Sequence, residues 1–285
     1  DNGVALVQLN RPPVNALDRS LVKELTEIVR ELSDDASSRV VIISSALKGI
    51  YSAGADIKEM VTMEHSECRD FVGLGQGLCD AIEASPKPMI AVTEGTCVGG
   101  GFELMMACDF KIAGRMSTFG SPEVDLGIIP GWGGTQRLSR IIGPTRAMEL
   151  LVTGELVSAD EAMSLGLLTK VVDQDTALKV TIGFCQKLMT KSPLAITAIK
   201  MSVRNGLKVP LKEGLEIEKD WYAKVFSSDK AKETIRRFTG KKKTILERKQ
   251  KIIPKIKKMT EFTTSKLNMN STEDKKNIEN VKKKL

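Results

Sequence analysis

Val40-Val41-Ile42-Ile43 sets four β-branched apolar residues in a row with no polar residue between them. Successive strand side chains face opposite ways, so a strand with one wet face alternates apolar and polar residues. A run without that alternation has to be covered on both faces, as in a sheet flanked by helices. Met89-Ile90-Ala91-Val92 repeats the pattern, and Val4-Ala5-Leu6-Val7-Gln8-Leu9 and Phe110-Lys111-Ile112-Ala113 give two further strands. Helical stretches lie between them. Asp18 or Ser20 is placed to cap a helix with Leu21, Leu25, Ile28, Val29 and Leu32 on one face. Residues 67–84 form another helix that Pro86 and Pro88 end, and Gly99-Gly100-Gly101 opens a short one from Phe102 to Ala107. This alternation predicts an α/β core of repeated β-β-α units to about residue 130. The later pattern is mostly helical, over 143–152, 158–165, 174–190, 193–205, 210–226 and 229–238, with Leu168–Val172 as a late strand.

After Gly240 the composition shifts. Residues 240–285 carry 15 Lys and Arg against 5 Asp and Glu, which leaves 28 against 31 for residues 1–239. The net charge of +7 therefore belongs to a basic tail and not to the body. The expected organisation is an α/β core over 1–190, a helical C-terminal region of the same fold over 191–243, and a solvated or flexible tail over 244–285. No apolar run reaches the ~18–20 residues a bilayer requires. Asp1-Asn2-Gly3 is not an initiator, so the chain is expected to be a fragment or a processed form. Cys68, Cys79, Cys97, Cys108 and Cys185 are widely spaced and form no C-x-x-C pair, and His65 is the only histidine. That set suits core cysteines in a reducing compartment better than a zinc site or a disulfide framework.

Three segments are able to carry chemistry. In Gly99-Gly100-Gly101-Phe102-Glu103 the glycines precede a helix, whose first N–H groups lack internal partners and carry positive partial charge. Glycine lets a ligand oxygen approach that backbone closely, and Glu103 falls in the first turn. A turn that merely permits tight packing explains the glycines equally well. Tyr51-Ser52-Ala53-Gly54-Ala55-Asp56 is a compact turn of small residues after a buried strand, and by itself reads as a plain loop. Phe119-Gly120-Ser121-Pro122-Glu123 sets a second carboxylate beyond a strand, followed by the glycine-rich Gly127 to Arg137. Neither G-x-G-x-x-G nor a Walker lysine is present, so a nucleotide-binding loop is not indicated.

In order, Ala53 to Met60, Gly99 to Glu103 and Ser121 to Arg137, with Arg11-Pro12-Pro13-Val14-Asn15-Ala16-Leu17 near the start, resemble the enoyl-CoA hydratase/isomerase (crotonase) superfamily. The resemblance runs from Asn2 to about Lys243. It implies a crotonase-like spiral of β-β-α units with a C-terminal helical trimerisation region. It also implies an enoyl-CoA hydratase, assembled as a homotrimer or a hexamer of two trimers. Coenzyme A would enter as part of the substrate, with no separate cofactor and no metal. By the same resemblance, the N–H groups of Ala55 and Gly100 form an oxyanion hole, Glu103 and Glu123 are the acid–base pair, and Gly131 positions water. Ala53, Asp56 and Ile57 would contact the adenine end of coenzyme A. A cytoplasmic location is expected, with a mitochondrial or peroxisomal one open for a eukaryotic chain.

Other readings compete, among them the dehalogenase, decarboxylase, ring-forming and thioester-hydrolase members of the same superfamily, which the presence of both carboxylates disfavours. A Δ3–Δ2 enoyl-CoA isomerase on this scaffold needs only Glu123. An RNA-binding protein on the same scaffold would use the basic tail, but Phe262 is that tail's only aromatic, which leaves bases nothing to stack on. Trp132 is placed to line an acyl pocket or to pack in the core. Trp221 and Tyr222 suit helix packing or a subunit contact.

Overall fold

The computed structural model describes residues 3–240 of the 285. Contacts divide the chain into two units, Asp1–Trp221 and the residues from Tyr222 onward. The first unit is wound from two sheets. Strands β1 (Val4–Leu9), β2 (Val40–Ser45), β4 (Met89–Thr93), β6 (Phe110–Gly114) and β9 (Lys170–Val172) pair in the order β1-β2-β4-β6-β9, all parallel. Strands β3 (Ile50–Ser52), β5 (Thr96–Val98), β7 (Thr118–Gly120) and β8 (Val157–Ser158) form the second sheet, parallel except for β7 with β8. Each of β2, β4 and β6 is followed directly by its short companion β3, β5 or β7, so every turn of the winding adds one strand to each sheet. That is the β-β-α spiral. The sequence located the long strands one by one, whereas β3, β5 and β8 are too short to show a period.

The two-sided burial expected of β2 is met. Val41 and Ile43 face a core shared with Leu25, Val29, Phe71, Leu78 and Ile82, from helices α1 (Arg19–Asp34) and α3 (His65–Ala84). Val40 and Ile42 face the other way, onto Ile90, Val92, Ile112 and Cys185 of α8 (Ala177–Met189). Between α1 and α3, α2 (Ile57–Met60) is a single turn. Asp18 is the cap of α1, accepting from the Leu21 N–H at 2.8 Å. The buried stripe of that helix is Val22, Leu25 and Val29, with Leu21 and Leu32 half-buried against the same core, so the expected face is widened by Val22.

Helix α4 (Gly100–Ala107) runs through the middle of this unit, and all eight of its residues are buried. After β7 a 3-10 turn, Pro122–Leu126, leads through the glycine-rich segment to α5 (Gly134–Ile142) and α6 (Pro144–Thr153). Then come α7 (Ala159–Ser164), α9 (Pro193–Gly206) and α10 (Leu211–Ser227). Residues 229–240 are also helical. The whole of the 244–285 tail, and its expected solvated character, lies outside the described residues, as does everything beyond 240.

Candidate active site

The turn after β3 is held by a segment near the start of the chain. Asn15 is fully buried with φ 49°, a left-handed conformation that asparagine tolerates better than most residues. Its amide donates to Ser45 Oγ (2.8 Å) and to the Tyr51 carbonyl (2.9 Å), and its Oδ1 accepts from the Arg11 N–H (2.7 Å). This lays residues 11–17 along the 51–56 turn. The Leu17 N–H then donates to the Gly54 carbonyl (2.8 Å), and the Asp56 N–H donates to the Leu17 carbonyl (3.1 Å). In such a parallel bridge the intervening residue, Ala55, directs its own N–H to the opposite side. That N–H has no acceptor among the described residues.

The turn before α4 arrives at the same place. Gly99, at φ 54°, donates its N–H to the Gly120 carbonyl (3.0 Å), and its carbonyl accepts from the Glu103 N–H to begin the helix. The Gly100 N–H is therefore left over at the positive end of α4 and has no acceptor among the described residues. A methyl on Gly100 would stand 3.3 Å from the Ala55 nitrogen, and one on Gly54, at φ 90°, would stand 2.9 Å from the Gly100 nitrogen. Two free donors from turns 45 residues apart in sequence thus sit side by side. Only glycine at 54 permits so close an approach.

Two carboxyls belong to the same turns, in unlike sockets: Glu103 in the first turn of α4, and Glu123 against Gly99. Glu103 is 2% exposed, and its Oε1 accepts from the N–H groups of Trp132 (2.8 Å) and Gly134 (2.6 Å). Burial pushes its pKa up to about 8; the Gly134 N–H pulls down, the charge of Glu123 pushes up, and the Trp132 N–H pulls down. Glu123, on the 3-10 turn, has its Oε2 buried without a partner, and its Oε1 lies 3.4 Å from where a methyl on Gly99 would be. Burial raises this carboxyl too. Gly131 donates nothing to either acid; its carbonyl accepts from Gln76 Nε2 (2.8 Å), and its N–H is without an acceptor among the described residues. Trp132 is buried edge-on to Phe71 (5.7 Å between ring centres), with its ring against Gly75 and Gly100.

Ala53, Asp56 and Ile57 lie on the rim of the Ala55 turn. Ala53 is exposed and Ile57 is 55% exposed. The Asp56 side chain accepts from the Lys58 N–H to cap α2 and pairs with Arg11 at 2.9 Å. Burial alone would raise the Asp56 carboxyl, but the Arg11 and Lys58 hydrogen bonds hold it below its ordinary value. The side chain is thereby occupied, and so is the backbone: the N–H donates to Leu17 and the carbonyl accepts from the N–H groups of Glu59 (3.0 Å) and Met60 (3.1 Å).

Residue-level reading of the sequence assigned no task to Arg11, Asn15 or Arg137. Pro12-Pro13-Val14-Asn15 did carry a signal, since asparagine after prolines marks a turn. Arg137 carried none, because its partners are remote in sequence. Among the described residues no group of three or more His, Cys, Asp or Glu is placed to hold a metal, and no helix is long and apolar enough to cross a membrane.

A wound pair of sheets whose turns present free N–H groups to buried carboxyls defines a crotonase-type scaffold. The sequence pattern of the enoyl-CoA hydratase/isomerase family matches residues 1–278, and the chain belongs to that family. It is 38% identical over 241 residues to a crotonyl-CoA hydratase of Syntrophomonas wolfei, covering 84% of this chain and 93% of that protein. It is 36% identical to a short-chain-enoyl-CoA hydratase of Clostridium acetobutylicum, over 84% and 92% of the two chains. The crystal structure of an enoyl-CoA hydratase from Bacillus anthracis superposes with a TM-score of 0.79 at 37% identity, over 84% and 93%.

Proposed function

We propose that this chain is an enoyl-CoA hydratase, adding water across the C2=C3 bond of a 2-enoyl-CoA thioester to give the 3-hydroxyacyl-CoA. The observation that carries the reading is the adjacency of the Ala55 and Gly100 N–H groups, both free, with Glu103 three residues along the helix from Gly100 and the Glu123 carboxyl against Gly99. Attack at C3 drives negative charge onto the thioester oxygen. Two fixed donors directed at that oxygen lower the barrier, and each is worth roughly 3–4 kcal/mol.

Two nearby carboxyls resist ionising together, so the pair holds one proton across the neutral range. Burial, which lifts Glu103 to about 8, makes it the resting holder of that proton, and the reactive form is the one in which the proton lies on Glu123. The N–H groups of Trp132 and Gly134 then stabilise the Glu103 carboxylate, which takes a proton from water as the water oxygen bonds to C3. Glu123, whose buried Oε2 has no partner, gives its proton to C2. A proton passed from Glu103 to Glu123 restores the pair. The Gly131 N–H holds the water, and the rim formed by Ala53, Asp56 and Ile57 receives the adenine end of coenzyme A through backbone and apolar contact. The protein works as a homotrimer or a pair of trimers in a reducing compartment such as the cytoplasm.

The test follows loss of the conjugated enoyl thioester on crotonyl-CoA and its longer homologues. The parental chain should hydrate them, and Glu103→Gln should lower kcat by at least ~10³-fold, within the 10²–10⁴ range of a lost general base. Full turnover by Glu103→Gln would overturn the reading. Retained Δ3–Δ2 isomerisation in that variant would locate the proton transfer to C2 at Glu123 alone.

A further inference from the structure

We propose that Arg137 is a positioning residue for Glu103, held in register by Glu83. The proposal rests on the reading of Glu103 as the base. Arg137 lies on α5, and its guanidinium folds back over the turn that begins that helix. Its Nη1 donates to the Trp132 carbonyl (2.7 Å), while the N–H of the same Trp132 donates to Glu103 Oε1 (2.8 Å). One residue is thus gripped at its carbonyl by the arginine and offers its N–H to the carboxylate. A methyl on Gly133 would fall 2.0 Å from Arg137 Nη1, so the glycine between them leaves the room in which the guanidinium lies.

The other edges of the guanidinium are anchored as well. Arg137 Nε donates to Glu83 Oε1 (2.8 Å), and Nη2 reaches Asp80 Oδ1 (3.2 Å), both on α3. Arg137 and Glu83 are 16% and 15% exposed, so this pair is largely shielded from solvent. Glu83 Oε1 also accepts from Arg204 Nη1 (3.1 Å) on α9, and Arg204 Nη2 caps the Ala107 carbonyl at the far end of α4 (2.7 Å). Glu103 therefore has both its supports tied to one carboxylate: its helix through Arg204, and the turn that holds its Oε1 through Arg137. A planar fork satisfies three acceptors lying in three directions, which a single ammonium does not. The arginine touches no reacting atom, and what it supplies is the fixed position of two N–H groups.

Three charged or titratable groups face Glu103: Glu123 from the 3-10 turn, the Cys79 thiol from α3, and Arg137 itself. Arg137 is the one cation of the three. Removing it loosens the Trp132 and Gly134 donors and withdraws a positive charge, and both changes favour the neutral acid.

The experiment measures kcat, KM and the pH dependence of kcat/KM on 2-enoyl-CoA for the full chain carrying Arg137→Met, Arg137→Lys or Glu83→Gln. Arg137→Met should lose between about 10- and 100-fold in kcat, the scale of a small misplacement of a reacting group, with KM changed less than about threefold. Its acidic limb should lie above the parental one near pH 8. Arg137→Lys should return the limb toward the parental position and recover only part of kcat. Glu83→Gln should fall between them. An unchanged kcat and limb in Arg137→Met and Arg137→Lys would overturn the proposal. So would a kcat loss that tracks lowered Tm with the limb unmoved. Should Arg137→Met fail to fold, Arg137→Lys and Glu83→Gln decide by the same two readouts. Glu103→Gln is the control: if it hydrates at the parental rate, the reading of Glu103 falls; if it is dead while the Arg137 variants are parental, only the positioning role falls.

Discussion

Helices α4 and α10 make opposite use of their apolar residues. Every residue of α4 is buried, from Gly100 against the Trp132 ring to Ala107 under the Arg204 guanidinium. No residue of α10 is buried, although it carries Leu211, Leu215, Tyr222 and Phe226, which are 78%, 47%, 68% and 50% exposed. At 8 residues α4 is too short to be stable alone in water, and a helix of 17 residues such as α10 also takes most of its stability in a protein from packing one face. For α4 that packing is complete inside the chain, and it fixes the positive end of the helix where the candidate oxyanion site lies. For α10 it is not, and exposed leucines and aromatics in register along a helix suit the surface of a second copy. Substitutions around α4 should therefore be read out in turnover, and substitutions on α10 in association.

The sharpest attempt to break that division is Gly54→Ala. Its methyl would press on the Gly100 nitrogen and force an L residue to φ 90°, spreading the two donors. Loss of one donor's alignment should cost about 10²–10³-fold in kcat, with far less change in the mass of the assembly. A Gly54→Ala protein with parental kcat would place the oxyanion elsewhere. The converse comes from Leu211→Lys combined with Leu215→Lys. Sedimentation should show a smaller assembly, while kcat per chain changes by less than about tenfold. If the assembly is unchanged, α10 is not the contact.

The smallest effect concerns stability. Glu103 titrates near 4.5 in the unfolded chain and near 8 when folded. A raised carboxyl favours folding fully below the lower value, and that contribution is lost as pH rises through 8. Glu103→Gln, which cannot ionise, should melt above the parental chain at pH 9 and together with it near pH 4.5. Equal melting at both would mean that the acid is not desolvated as described.

How far the sequence revealed all this depended on the length of each element. Four consecutive β-branched residues declared β2, a capping aspartate declared the start of α1, and Pro86 and Pro88 declared the end of α3. The second sheet left almost no trace, since Ile50–Ser52, Thr96–Val98 and Val157–Ser158 are shorter than a pattern needs. Their order comes from stacking on the turn before. Glu103 was legible from chemistry, as an acid in the first turn of a glycine-opened helix. Ala55 was not, because a backbone N–H looks alike at every residue; only resemblance singled it out. Arg137 depends on Glu83 and Asp80, more than fifty residues away, and no local pattern encodes such a distance.

The Trp132 ring occupies the space that a methyl on Gly75 would need, within 2.1 Å. These two positions are consequently bound in their history. Alanine at 75 collides with the indole unless position 132 has already become smaller, whereas a smaller residue at 132 leaves a gap that alanine at 75 then fills. Lineages drifting between the two combinations have one passable order of substitution, and the effects of the two changes do not add.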